Sequence, residues 1–294
     1  MRPTLSTKLR YTAPYDWESI VAVFRAHRVP HLDSVDDLGY ERVVHTSQGM
    51  GWFRISADKR HHFLRLCVWN ASEVDIAPIS SAVRGMFDLD ANPDVIRGAM
   101  SADPYLATVW EHHPGLRVAR AWSPFETLLT TVLGQLVSVS FGRVLVGELM
   151  KAAGVKVPHP KTERPIHLFP TPTRLLRADL SSVRTSEARR TTIRSLANLV
   201  VNGAFKSSER IPFNELRKTL LSVPGIGAWT SEYIAMRGFH DNDAFPATDY
   251  ELKQEMKRHP GLDINRVRPW RAYAATALWK TFVESKRRSY ESAI

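Results

Sequence analysis

The spacing of apolar residues changes once along this chain, and that change limits the fold more than any other feature. Between Glu41 and Asn70, the stretches ERVVHTSQGMGWFRIS and HFLRLCVWN are rich in β-branched and aromatic residues, and Leu64, Leu66 and Val68 alternate on one face. Gln48-Gly49 and the segment from Ala57-Asp58 to His61 supply turns. On either side, DWESIVAVFRAHR (Asp16 to Arg28) and PISSAVRGMFDL (Pro78 to Leu89) repeat at helical spacing, the latter through Ile79, Val83, Met86 and Phe87. From about Ala99 onward the strand signals fade. The long segment Pro124 to Gly154 carries Leu128, Val132, Leu136 and Val139 in one stripe, a Pro/His/Lys-rich loop (VKVPHPKTERP) follows it, and Ser186 to Gly203, Phe213 to Val223 and Asn265 to Lys286 read as further amphipathic helices.

At 294 residues the chain can bury a core without covalent staples. Its 40 Lys and Arg outnumber 30 Asp and Glu, a net charge of +10 that suits a polyanionic partner. About half of that excess lies beyond Glu251, where the cluster Lys286-Arg287-Arg288 reads as a solvated helix end. Cys67 is the sole cysteine, which excludes an internal disulfide and any all-cysteine metal site. The eleven histidines lack zincin spacing, so neither metal nor cofactor is expected. No run of about 18 apolar residues occurs and Met1 to Arg10 lacks a signal-peptide core, so a cytoplasmic protein with no membrane partner is expected, nucleoid-associated if bacterial.

The segment LSVPGIGAWTSEYIAMRGF (Leu221 to Phe239) joins two helices. Leu216, Leu220 and Val223 form the stripe of the first, while Arg217 and Lys218 face away; Trp229, Tyr233 and Met236 form that of the second, and Gly238 fits a C-cap. Between them, glycine at 225 and 227 permits positive φ and close backbone approach, so that amides at a helix N-terminus point outward at a phosphate. This is the pattern of a helix-hairpin-helix that grips a DNA backbone without reading sequence. The same residues also suit an ordinary helix connection, and spacing alone does not choose. Farther on, Thr248-Asp249-Tyr250-Glu251 matches a capping box with Thr248 as N-cap and Asp249 in the first helical turn, where a carboxylate offsets the macrodipole whatever else it does.

LSVPGIGAWTSEYIAMRGF followed by FPATDYELKQ resembles the helix-hairpin-helix, Gly/Pro-rich loop and aspartate of the DNA glycosylase superfamily, specifically the DNA-3-methyladenine glycosylase II (AlkA-type) family. PYDW, MFDLDANPDVIRGA, PFETLLTTVLGQLVSVS, LFPTPTRL and RPWRAYAATALW look like counterparts of family segments in the same order, so the resemblance covers nearly the whole chain. The expected fold class is α+β: an N-terminal mixed module with a small antiparallel sheet (residues 1–98), then two mostly helical domains. One of these, 124–241, holds the hairpin; the other, 99–123 with 242–294, completes the cleft.

The resemblance implies that Asp249 is the catalytic aspartate, that Trp229, Tyr233 and Trp279 form the base pocket, and that Gly225, Ile226, Gly227, Gln135 and Leu136 meet DNA, with Leu136 as the wedge filling the gap left by a flipped base. Trp279 has independent support in the small residues Thr276, Ala275 and Ala272 on its helix face, although a core tryptophan would look the same. Trp229 occupies the position that is lysine in strand-cleaving relatives, which implies a monofunctional glycosylase leaving an abasic site; Lys253 has no nucleophile counterpart. The implied partner is double-stranded DNA containing alkylated bases, 3-methyladenine first, met by a monomer. Two positions depart from the family: Arg184 where a glycine is usual, and Thr248 where a second Asp is frequent. The rival reading is a non-catalytic helix-hairpin-helix damage-binding protein, which would not need Asp249.

Overall fold

The computed structural model describes residues 2–205 and 211–291. The N-terminal part is a five-stranded antiparallel sheet: β1 (Leu5–Arg10), β2 (Asp33–Asp36), β3 (Gly39–Thr46), β4 (Gly49–Asp58) and β5 (Phe63–Trp69), in the order β1-β5-β4-β3-β2. The three inner strands are those legible as apolar alternation. The two edges were not foreseen because they are short or polar: β1 buries only Leu9, and β2 is DSVD. Such edges resist pairing with other chains.

Helices α1 (Trp17–His27) and α2 (Glu73–Met86) cover one sheet face. There Phe24, Tyr40, Phe53 and Phe87 interlock with ring centroids 4.7–6.0 Å apart. The expected helix from Pro78 begins earlier, at Glu73, because Ser72 and Asp75 form a capping box. On the opposite face Val43 and Trp52, a register pair, join the core of the helical remainder.

That remainder contains α3 (Pro93–Met100), α4 (Pro104–His112), α5 (Pro124–Gly134), α6 (Val139–Ala153), the small hairpin β6 (Lys156–Pro158) and β7 (Pro165–His167), α7 (Pro172–Arg177), α8 (Glu187–Val201), α9 (Phe213–Leu221), α10 (Ala228–Gly238), α11 (Tyr250–Arg258) and α12 (Arg271–Glu291). Four of them open on an Asn-Pro, Asp-Pro, Ser-Pro or Thr-Pro pair: proline fixes the first helical φ, and Asn92, Asp103 and Thr171 accept amides of the first turn. The segment read as a loop, VKVPHPKTERP, instead pairs as β6 with β7.

Three local expectations are corrected. The stripe from Leu128 through Val139 does not lie on one helix. Leu128 and Val132 are fully buried in α5, but the helix ends at Gly134, Leu136 takes φ +56°, and Ser138 starts α6 by capping Phe141 N–H. Gly238 is not a C-cap but the last residue of α10, where a Cβ would lie 3.0 Å from Thr127 Cβ, so its smallness lets α10 lie close on α5; His240, at φ +63°, makes the turn away. Arg217 does not face solvent alone; it is ion-paired to Glu232 and Asp241. Among the described residues no helix is long and apolar enough to cross a membrane.

Candidate active site

Leu216, Leu220 and Val223 are buried as the stripe required, and Ile226 follows them inward at 6% exposure, its amide donating to Val223 O. The side chain of Ile226 is thus an anchor for the turn. Gly225 has φ +90°, and a Cβ there would meet Thr192 Oγ1 at 2.5 Å, so this glycine allows both the left-handed turn and its seat on α8. Thr192 completes the seat by donating to Pro224 O at 2.7 Å. Gly227 has ordinary φ and open space where a Cβ would be; it is the N-cap of α10, which has no side-chain cap. A helix N-terminus left open in this way favours an anion.

The break after α5 sits against this turn. Gln135 Nε2 donates to Gly225 O at 3.0 Å and to Thr230 Oγ1 at 2.8 Å, while its backbone oxygen accepts from Arg189 Nη2. Leu136 beside it is fully exposed. A leucine held in the left-handed region with its side chain in water has no packing reason to be there.

Asp249 lies one helix away from the turn. It is itself the N-cap of α11, not a residue of its first turn: Oδ1 accepts from Glu251 N–H at 3.0 Å and Leu252 N–H at 3.2 Å. Thr248, expected as the cap, is exposed. Two indoles also donate to the carboxylate, Trp229 Nε1 to Oδ2 at 2.9 Å and Trp279 Nε1 to Oδ1 at 3.1 Å. Tyr233 stacks on Trp229, with centroids 5.2 Å apart and planes 22° apart, and meets Trp279 edge-on at 6.2 Å. All three rings are partly buried. The four residues assigned to catalysis and base binding are therefore in one group, drawn from α10, α12 and the start of α11. Ala272 and Ala275, read as a small face beside Trp279, are fully buried.

Two contributors were missed from the sequence. Arg237 lies over both the Tyr233 ring (5.4 Å) and the Trp279 ring (5.6 Å) and donates to Ala119 O; its only signal was its place four residues after Tyr233. Glu232 Oε2 accepts the amide of Phe245 in the loop that leads to Asp249, at 3.0 Å. Burial, and then the charge of Asp249, raise Glu251 above the ordinary carboxylate value. Arg184, the departure from the family pattern, is bound through its Nε to Glu148 at 2.6 Å and lies over Phe141. Among the described residues no group of three or more His, Cys, Asp or Glu side chains is placed to hold a metal ion.

Comparison with known proteins gives this arrangement a family. A solved 3-methyladenine DNA glycosylase from Archaeoglobus fulgidus superposes with TM-score 0.72 at 19% identity, covering 95% of this chain and 98% of that one. The apo 8-oxoguanine glycosylase/lyase of Clostridium acetobutylicum does so at 0.67 and 16% identity, covering 95% and 99%. The fold is that of the helix-hairpin-helix DNA glycosylases. Residues 6–123 match the model of the AlkA N-terminal domain. The chain is 30% identical to DNA-3-methyladenine glycosylase 2 of Escherichia coli (strain K12), over 93% of this chain and 96% of that protein. It is 32% identical to a probable bifunctional transcriptional activator/DNA repair enzyme AlkA of Mycobacterium tuberculosis, over 95% of this chain but 57% of that protein, so it spans little more than half the length of that relative. The chain belongs to the DNA-3-methyladenine glycosylase 2 (AlkA) family.

Proposed function

We propose that this protein is a monofunctional DNA glycosylase of base excision repair that flips alkylated bases, 3-methyladenine above all, out of duplex DNA and hydrolyses their N-glycosidic bond. The observation that carries the reading is the carboxylate of Asp249, held by the indole N–H groups of Trp229 and Trp279 at the edge of an aromatic cluster next to the hairpin. As the bond from C1′ to the base nitrogen breaks, its electron pair leaves with the base and positive charge develops on the sugar. Asp249 stabilises that charge and takes a proton from the water that adds to C1′. A base that already carries positive charge leaves as a neutral molecule and needs no general acid. Aromatic faces suit it, with cation–π attraction of about 0.5–2 kcal/mol.

In this reading Gly225 and Gly227 bring backbone amides to a phosphate, Ile226 anchors the turn, Gln135 supports the neighbouring loop, and Leu136 enters the stack. Trp229 in place of a Schiff-base lysine makes the product an abasic site with the strand intact. The protein acts as a monomer on double-stranded DNA.

The test is release of free methylated bases from alkylated duplex DNA by the wild type and by Asp249→Asn, with binding to an abasic-site analogue measured for both. Release by the wild type alone, with binding by both, is the expected result. Binding without release by either protein makes this the non-catalytic damage-binding module instead.

A further inference from the structure

The loop between α10 and α11 carries Asp249 at its end, and every side of it is gripped. Asp241 N–H donates to Ala235 O, Asn242 O accepts from Ala272 N–H, and Asp243 is clamped by Arg271 at 2.8 and 2.9 Å. Two further grips come from the hairpin helices. Glu232, on the turn of α10 between Trp229 and Tyr233, accepts the Phe245 amide through Oε2. Arg217, on α9, spans Glu232 (Nε to Oε1, 2.5 Å; Nη2 to Oε2, 2.9 Å) and Asp241 (Nη2 to Oδ2, 2.6 Å). From Phe245 only two short turns separate this grip from Asp249: Ala247 N–H donates to Phe245 O, and Asp249 N–H to Pro246 O, both at 2.8 Å.

One flank of the loop borders open space. A cavity of about 460 Å³ opens between Arg217, Glu232, Asp243 and Thr248. Side-chain contacts cross that space, while Ala244 and Phe245 of the same loop are buried in the apolar core. The ion pairs are partly withdrawn from water: Arg217 is 23% exposed, Glu232 22% and Asp241 4%. Hydrogen bonding to Glu232 is the main influence holding the Arg217 guanidinium above its ordinary value, against the cost of burial.

We propose that Glu232, braced by Arg217, is a positioning residue for Asp249. α10 then sets the carboxylate from both directions, through Trp229 on its oxygen and through Glu232 on the loop that delivers it. The inference rests on the glycosylase reading for its effect on rate. Its effect on geometry does not depend on that reading.

The experiment uses the full chain with Glu232→Gln and, separately, Arg217→Met. Three quantities are read: the side-chain N–H resonances of the tryptophans by NMR, the single-turnover rate of 3-methyladenine release, and affinity for abasic-site DNA. In E232Q the Trp229 and Trp279 resonances are expected to shift while that of Trp17, in the sheet core, stays in place. Base release slows by about 10- to 10²-fold, as misplacement of a reacting group by up to about 1 Å does, and DNA affinity is retained. R217M, which leaves the Phe245 contact intact, gives the same changes to a smaller degree. Unmoved Trp229 and Trp279 resonances with a wild-type rate overturn the proposal. So does a loss of rate matched by an equal loss of affinity and by shifts in all the tryptophans, since that marks general unfolding. If the wild type releases no base, the glycosylase reading fails, and the two indole resonances still decide whether Glu232 positions Asp249.

Discussion

Two carboxylate centres in this molecule are built in opposite ways. Where the sheet meets α5, Arg42 is 3% exposed and bridges Asp33 (2.6 Å) to Glu126, with the Trp122 ring 5.4 Å from its guanidinium carbon. Tyr40 and the Val29 amide fill the remaining sites on Asp33. Burial works against the Arg42 charge, but Asp33 and Glu126 outweigh it and hold Arg42 above its ordinary value; burial likewise pushes Glu126 up despite Arg42. At Asp249 the four side-chain partners are two backbone amides and two indoles, all donors and none with a formal charge. A carboxylate paired with a cation spends its field on its partner. One held by neutral dipoles is oriented as firmly and still has its charge for a cation that arrives later.

The contrast is testable from its largest expected effect downward. Asp249→Asn should lower base release by about 10²- to 10⁴-fold and leave thermal unfolding nearly unchanged, because asparagine caps a helix as well as aspartate does. Arg42→Met should do the reverse, costing about 3–5 kcal/mol in urea unfolding by stranding two buried acids, with the rate per folded molecule unaltered. Its deficit should shrink as pH falls from about 8 to about 5: without the cation, burial raises Glu126 further above its unfolded value, so the penalty is present at high pH and relieved as that acid protonates. Trp279→Phe keeps a ring but deletes one donor to Asp249, and about a tenfold slower release is expected from a lost hydrogen bond to a charged group. Glu126→Gln should be the mildest, about 1–2 kcal/mol of stability and no change in rate; a slowed reaction here would show that the two centres are coupled and break the distinction.

How much of this could be read from the residues depended on whether the cause was local. The inner strands were legible because Leu64, Leu66 and Val68 alternate, and the hairpin because glycine and proline interrupt two apolar stripes. The edges β1 and β2 bury too little to leave a pattern. The break at Leu136 was hidden because the apolar repeat runs through it; what ends α5 there includes the contact of Gln135 with Gly225, 90 residues away. At the candidate site, Asp249 and its aromatics were picked out through resemblance, but the indole bonds to the carboxylate and the grip of Glu232 on Phe245 join residues 13 to 30 positions apart and have no periodic signature.

The contact between Gln135 and the hairpin also bears on how such a protein would search DNA. One side-chain amide joins the turn that would rest on the phosphates to the loop that carries Leu136, so on the proposed reading grip and probe would act as a caliper. A caliper of this kind cannot be lowered at one base and lifted at another while its grip stays still. On the proposed reading, each step along the duplex would present Leu136 at the same height to the next base pair, and its entry would then be decided by how readily that pair yields.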